Sequence, residues 1–386
     1  MSSQSVEPLA AEIDNMLERL LAFEAVPLPV ISIYLNTEPN QHGRDPDLVA
    51  YLQREFKGLS RTWPPASPER TSFDADANRI IAYVKERIDP AANGVAIFAC
   101  DGVDHFFEAV QFGAPISDNR IYVYHQPHLY HLTKLDEQYP KYAAVLTDAF
   151  TARIFVFGLG QTIDIEEIKG KKVHRVKVGG WSQARYQRRV GNAHQKHVTE
   201  VIDRLREIVQ KEDIERIIVA GDPVIVPLIE KEMPQELAAM IQTMKLDVHL
   251  GEQEVLQATL ERLQQEESAD ASEKVKRLFE TARGRGLAVL GPEPTLEALA
   301  NGQVDELLIA GSIESTHPEE EEIEAVLAPE APDSSGGTDS DEPRRVSLPD
   351  LLVTKAKQTD AAVTFVEDAS LLASVEGVGA FLRWRV

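Results

Sequence analysis

Little in this chain invites covalent chemistry. Cysteine occurs once in 386 residues, which excludes an intramolecular disulfide framework and any multi-cysteine zinc site. That thiol, Cys100, ends the apolar run Val95-Ala96-Ile97-Phe98-Ala99-Cys100 and reads as a buried strand thiol rather than a nucleophile. No apolar run approaches the roughly 18–20 residues that span a bilayer. Residues Met1–Pro8 lack the basic-then-apolar pattern of a signal peptide, so the expectation is a cytoplasmic protein with no membrane partner. His-Glu-x-x-His is absent, and His194 and His197 have no carboxylate between or just before them, so no metal is expected. No phosphate loop with Lys and Ser/Thr follows a strand. Gly284-Arg285-Gly286 lacks the third glycine of a dinucleotide fingerprint, and no Gly-x-Ser-x-Gly elbow occurs. No cofactor is expected.

Basic residues are the scarcer sign. Lys and Arg number 40 against 63 Asp and Glu, for a net charge of −23, a balance that opposes nonspecific binding to nucleic acid such as DNA. Their placement is therefore informative. Between Lys169 and His197 lie nine Lys/Arg, three His and no Asp or Glu. An acidic remainder would repel RNA everywhere but at this segment, which is specificity by repulsion.

Hydrophobic periodicity divides the chain into an α/β multidomain protein of three α/β or α+β domains. The first, residues 1–138, has helices over Ala10–Phe23, Asp47–Leu59 and Phe73–Arg87, a proline-rich loop at Arg61–Arg70, and strands at Val30–Leu35, Val95–Cys100, Phe106–Val110 and Ile121–Tyr124. The second, residues 139–283, opens with strands Ala143–Thr147, Ala152–Phe157 and Thr162–Glu167. A helix Arg185–Gln210 follows, with Arg185, Arg189, Asn192 and Lys196 as a polar stripe. Strand Ile217–Ala220 turns through Gly221-Asp222-Pro223 into a helix capped by Asp222, and a long charged helix spans Glu252–Arg283. The third, residues 284–386, reads as an α/β sandwich with strands Leu287–Leu290, Glu306–Ala310, Ala361–Phe365 and Phe381–Val386 and helices Thr295–Asn301 and Asp350–Thr359. Its acidic insert, 314–346, holds Glu319-Glu320-Glu321-Glu322 and a Ser/Gly/Asp run, too little apolar surface to offset ordering entropy, and is expected to be disordered.

Gly179-Gly180 is the sharpest local feature. Paired glycines permit positive φ and close backbone approach, and here they precede Trp181 and a basic helix. Helix N-termini and Arg/Lys clusters bind phosphates. An indole can stack on a base or pack under its own loop, and the sequence leaves both open for Trp181.

The stretch Gly179-Gly180-Trp181-Ser182-Gln183-Ala184-Arg185-Tyr186-Gln187-Arg188 resembles the loop of the archaeo-eukaryotic class-1 peptide-chain release factors, Gly-Gly-Gln-Ser, two residues, Arg-Phe. Gly286–Val289, Leu296–Leu299, Val304–Ile309 and the ending Glu376–Trp384 look like the same family's C-terminal domain. The first region looks like that of the bacterial branch of the release factor and Pelota family, which includes the ribosome hibernation factor Balon. The resemblance implies a central domain whose loop enters the peptidyl-transferase centre. It implies a last domain of the fold used by kink-turn-binding proteins, which contacts a translational GTPase, and a first domain that faces the decoding site. The implied partner is the ribosome, through large-subunit RNA in the A site.

Departures from the pattern shape the expected function. Trp181 stands where the family has the catalytic glutamine, and indole offers one donor and no acceptor. The stop-codon motif Asn-Ile-Lys-Ser is absent. The expectation is a ribosome-binding factor of release-factor or Pelota type, acting in hibernation or rescue without reading stop codons. RNA contacts are assigned to Lys169, Lys171, Lys172, Arg175, Lys177, Gly179, Gly180, Trp181, Ser182, Gln183, Arg185, Arg188, Arg189 and Lys196. Two alternatives stand beside it: a peptidyl-tRNA hydrolase acting through Gln183, and a stress-response adaptor that binds protein through the acidic insert.

Overall fold

A computed structural model describes residues 9–39, 47–169, 181–313 and 347–385, with side chains of the first and fifth helices described from residues 15 and 187 onward. Lys171, Lys172, Arg175, Lys177, Gly179, Gly180 and the acidic insert 314–346 lie outside the described residues. The protein is a multidomain α/β chain with three sheets among the described residues, and it forms two compact units. One comprises Asn15–Gln138 with Gln265–Val386, and the other is built on Tyr139–Gln264.

The first unit contains two sheets. Strands β1 (Val30–Asn36), β2 (Gly94–Cys100), β3 (Phe106–Phe112) and β4 (Arg120–Tyr124) pair antiparallel in the order β3-β2-β1-β4. Every residue of β2 is buried, so the strand reads as an unbroken apolar run. On one face Ile31, Ile33 and Leu35 meet Leu52 and Phe56 of α2 (Leu48–Leu59) and Phe73 and Ile80 of α3 (Pro68–Arg87). Helix α3 starts inside the stretch read as a proline-rich loop. Ser67 accepts the Arg70 amide and Pro68 holds the first helical position, where its missing N–H costs nothing. Cys100 is buried in β2, and burial pushes its thiol up to about 11, which leaves it unreactive at neutral pH.

The second sheet runs β10-β13-β11-β12, from β10 (Ala288–Leu290), β11 (Val304–Ala310), β12 (Ala362–Val366) and β13 (Val378–Leu382). Helices α9 (Pro292–Ala300) and α10 (Leu348–Gln358) cover one face, and the second half of α8 (Glu252–Arg283) covers the other through Ala271, Val275 and Leu278. The closing strand therefore lies earlier than Phe381–Val386. Val378 and Gly379 belong to it, and at Gly379 the α8 side of the sheet leaves no room for a side chain: a Cβ there would sit 2.6 Å from Leu278 Cδ2. Helix α4 (Tyr130–Gln138) joins this unit. Its first turn is capped by Asp350 of α10, whose Oδ1 accepts the amides of Leu129 at 2.6 Å and Tyr130 at 3.0 Å.

The other unit is a five-stranded sheet, order β7-β6-β5-β8-β9. Strands β5 (Tyr142–Thr147), β6 (Thr151–Gly158) and β7 (Gln161–Lys169) form an antiparallel meander, and β8 (Arg216–Gly221) and β9 (Ile241–Met244) extend it in parallel from β5. Helices α5 (Trp181–Glu212) and α6 (Ile225–Glu232) pack on one face, and Val255, Leu256 and Leu263 of α8 on the other. A single turn, α7 (Gln235–Ala238), leads into β9. With both faces covered, all of β5 is buried.

Candidate functional site

The basic segment runs into α5, and α5 changes character along its length. From His197 onward, Val198, Val201, Ile202, Leu205, Ile208 and Val209 repeat at helical spacing and enter the core over β5, β6 and β8. Before His197 no residue with a described side chain is buried. Arg188, Arg189, Gly191, Asn192, Gln195 and Lys196 are exposed, and Val190, Ala193 and His194 are only half-buried. At 1.5 Å per residue, the ten positions from Gln187 to Lys196, whose side chains are described, give a basic stalk of about 15 Å beyond the packed half. The helix starts at Trp181 rather than Arg185. Trp181, Ser182, Gln183 and Arg185 therefore sit on its first turns, directly after Gly179-Gly180 in sequence. The N-terminal amides of the helix fall there too, and no acidic residue occupies the first turn.

The foot of the stalk is built from short polar residues. Asp148, in the turn between β5 and β6, accepts the amides of Phe150 at 2.7 Å and Thr151 at 2.6 Å through Oδ1, and the Thr151 hydroxyl at 2.7 Å through Oδ2. Burial opposes its charge, yet these hydrogen bonds prevail and hold the carboxyl below its usual range. Thr147 Oγ1 lies 3.2 Å from His197 Nε2, and the Phe150 ring lies 5.6 Å from that of His194. Burial lowers the His197 pKa against the pull of Asp148, so the imidazole is neutral at pH 7. Beside it β8 ends in Gly221 at φ +124°, where a Cβ would stand 2.0 Å from the Thr147 carbonyl oxygen. Only glycine permits this crossing, and the Asp222 amide then donates to that oxygen at 2.8 Å. Asp222 goes on to cap Val224 and Ile225 at 2.7 and 3.3 Å, so the Gly-Asp-Pro turn is a capping device.

Of the proposed RNA contacts, Arg188 and Arg189 are exposed and have no ion-pair partner among the described residues. Lys196 is 75% exposed and 3.5 Å from Glu200, and Lys169 ends β7 at 2.6 Å from Glu167. The predicted stripe is exposed at Arg189, Asn192 and Lys196. Apolar periodicity and charge do not single out the foot residues Thr147, Asp148 and Phe150. Their signal is the Asp-x-Phe-Thr turn, in which an Asp side chain folds back on amides two and three residues on. Among the described residues no group of His, Cys, Asp and Glu could hold a metal ion, and no helix is long and apolar enough to cross a membrane.

Solved structures similar to the chain include an archaeal translation termination factor and two Pelota proteins. The archaeal termination factor aRF1 aligns over 98% of this chain and 100% of its own at 16% identity, TM-score 0.27. Pelota of Archaeoglobus fulgidus aligns over 76% and 80% at 14% identity, TM-score 0.34. Archaeal Pelota, in a model of its ribosome-bound form with ABCE1, aligns over 97% and 94% at 12% identity, TM-score 0.43. No curated protein matches the chain. A family model does: residues 127–264, which hold the stalk, its foot and the whole five-stranded sheet, match the model of bacterial archaeo-eukaryotic release factor family 10.

Proposed function

We propose that this protein is a ribosome-binding translation factor of release-factor and Pelota type. It occupies the vacant A site in hibernation or rescue, without reading a stop codon, and points the stalk at large-subunit RNA. The observation that carries this reading is the stalk itself: an acid-free helix start that follows a Gly-Gly pair in sequence and buries no side chain from Gln187 to Lys196, inside the segment that matches a release-factor family. A helix N-terminus with flanking guanidinium groups suits phosphate. Trp181 directs the outcome toward occupancy rather than ester hydrolysis, because indole cannot accept a hydrogen bond from a water. A translational GTPase at the domain formed by β10–β13 completes the proposal.

Co-sedimentation with ribosomes tests it. The wild type pellets with ribosomes, and replacing Arg188, Arg189 and Lys196 by Ala releases it. With roughly six or more phosphate contacts, affinity falls by orders of magnitude from low to moderate salt. Pelleting unchanged by the substitutions rejects the reading. The hydrolase alternative through Gln183 has less support, since Gln183 lies within the first turn of α5, two residues past the family's glutamine position. Peptide release from ribosome-bound peptidyl-tRNA, abolished by Gln183→Ala, would revive it.

A further inference from the structure

A second cationic surface lies in the sheet β10-β13-β11-β12, which the reading above does not use. Helix α8 ends in Arg283, and the chain turns through Arg285 in a left-handed conformation, φ 56°, to reach Leu287 and edge strand β10. Strand β13, paired with β10, leads out into Trp384 and Arg385. The two segments are tied together: the Leu382 amide donates to the Leu287 carbonyl at 3.0 Å, and Arg385 Nη1 to the Arg285 carbonyl at 3.4 Å. Trp384 remains 47% exposed and Leu287 42%, two of the four large apolar side chains this open among the described residues. Arg283, Arg285 and Arg385 are all exposed, and none has a carboxylate partner among the described residues. The neighbouring Arg383 does have one, Asp305 at 3.6 Å, and serves the fold.

An open indole beside guanidinium groups that have no carboxylate partner among the described residues, in a chain of net charge −23, calls for an anionic partner with a flat apolar face. We infer that this corner binds RNA, with a base stacked on Trp384 and phosphates on Arg285 and Arg385. The choice of RNA over other polyanions rests on the ribosomal reading above; the surface itself does not.

The test uses the full chain with 5-fluorotryptophan at its three tryptophans, resonances assigned by single Trp→Phe variants, and a short oligoadenylate as ligand. Trp63, packed on Phe73 at 5.1 Å, is the internal control for folding. The inference expects the Trp384 resonance to shift on titration while Trp63 stays still. Arg285→Glu with Arg385→Glu should weaken that response about ten-fold or more, Trp63 again unchanged. Polyglutamate should leave Trp384 unmoved. A still Trp384 at saturating RNA, or an equal response to polyglutamate, overturns the inference. Movement of Trp181 alone keeps the stalk and rejects the corner, and movement of Trp384 alone does the reverse.

Discussion

The two halves of α5 share one helix and have opposite surroundings. After His197 the helix is held by a stripe of aliphatic side chains over the sheet; before it, no described side chain is buried, and Arg188 and Arg189 carry charge without acidic partners among the described residues. A stability requirement explains the first half and leaves the second unexplained. Exposed helix interiors contribute little to folding unless they pack, so the stalk must be kept for what it touches.

Substitutions can break or sharpen that contrast. The largest effect belongs to the packed half: Leu205→Ala, at a fully buried position, should cost about 2–5 kcal/mol, read as a drop in the denaturation midpoint. Next comes the foot. Gly221→Ala places a methyl against the Thr147 carbonyl oxygen at an unfavourable φ and should cost on the order of 1–3 kcal/mol or more. His197 sets a smaller, pH-dependent effect. Its folded pKa is lowered from 6.5 by burial, so the unfolded chain binds the proton more readily. Stability should be full above 6.5 and decline as pH falls through and below it, and His197→Leu should flatten that limb. In the stalk, Lys196→Ala should change stability by no more than about 0.5 kcal/mol while lowering the salt slope of ribosome binding by about one. A stalk variant that unfolds the protein, or a foot variant that leaves its stability untouched, would erase the distinction.

Asp76 offers an independent check outside α5. It lies fully buried in α3, accepting the Asp101 amide at 2.9 Å, and burial raises it from 3.8 to about 7. A raised carboxyl keeps its proton in the fold, so stability should decline as pH rises from about 4 to about 7, and Asp76→Asn should remove that decline.

Sequence periodicity gave away the elements whose signals are local. Helix α8 runs from Glu252 to Arg283 as its pattern predicts, and β1, β2, β5 and β8 lie on their apolar runs. Elements fixed from a distance stayed hidden. Helix α4 has no capping residue of its own, since Asp350, over 200 residues later, supplies it. The candidate segment was legible as charge: nine cations without an acid stand out in this chain. What charge counting could not say is that the helix buries no side chain from Gln187 to Lys196. That depends on where β5 and β8 end, at Thr147 and Gly221, a property of the sheet rather than of α5.

A cryo-EM map of the protein bound to ribosomes from its own source tests the central claim most directly. The account predicts density for the first turns of α5 at the large-subunit peptidyl-transferase centre, with Arg188 and Arg189 against RNA backbone and an intact A-site occupancy. A bound protein whose stalk projects into solvent would contradict it.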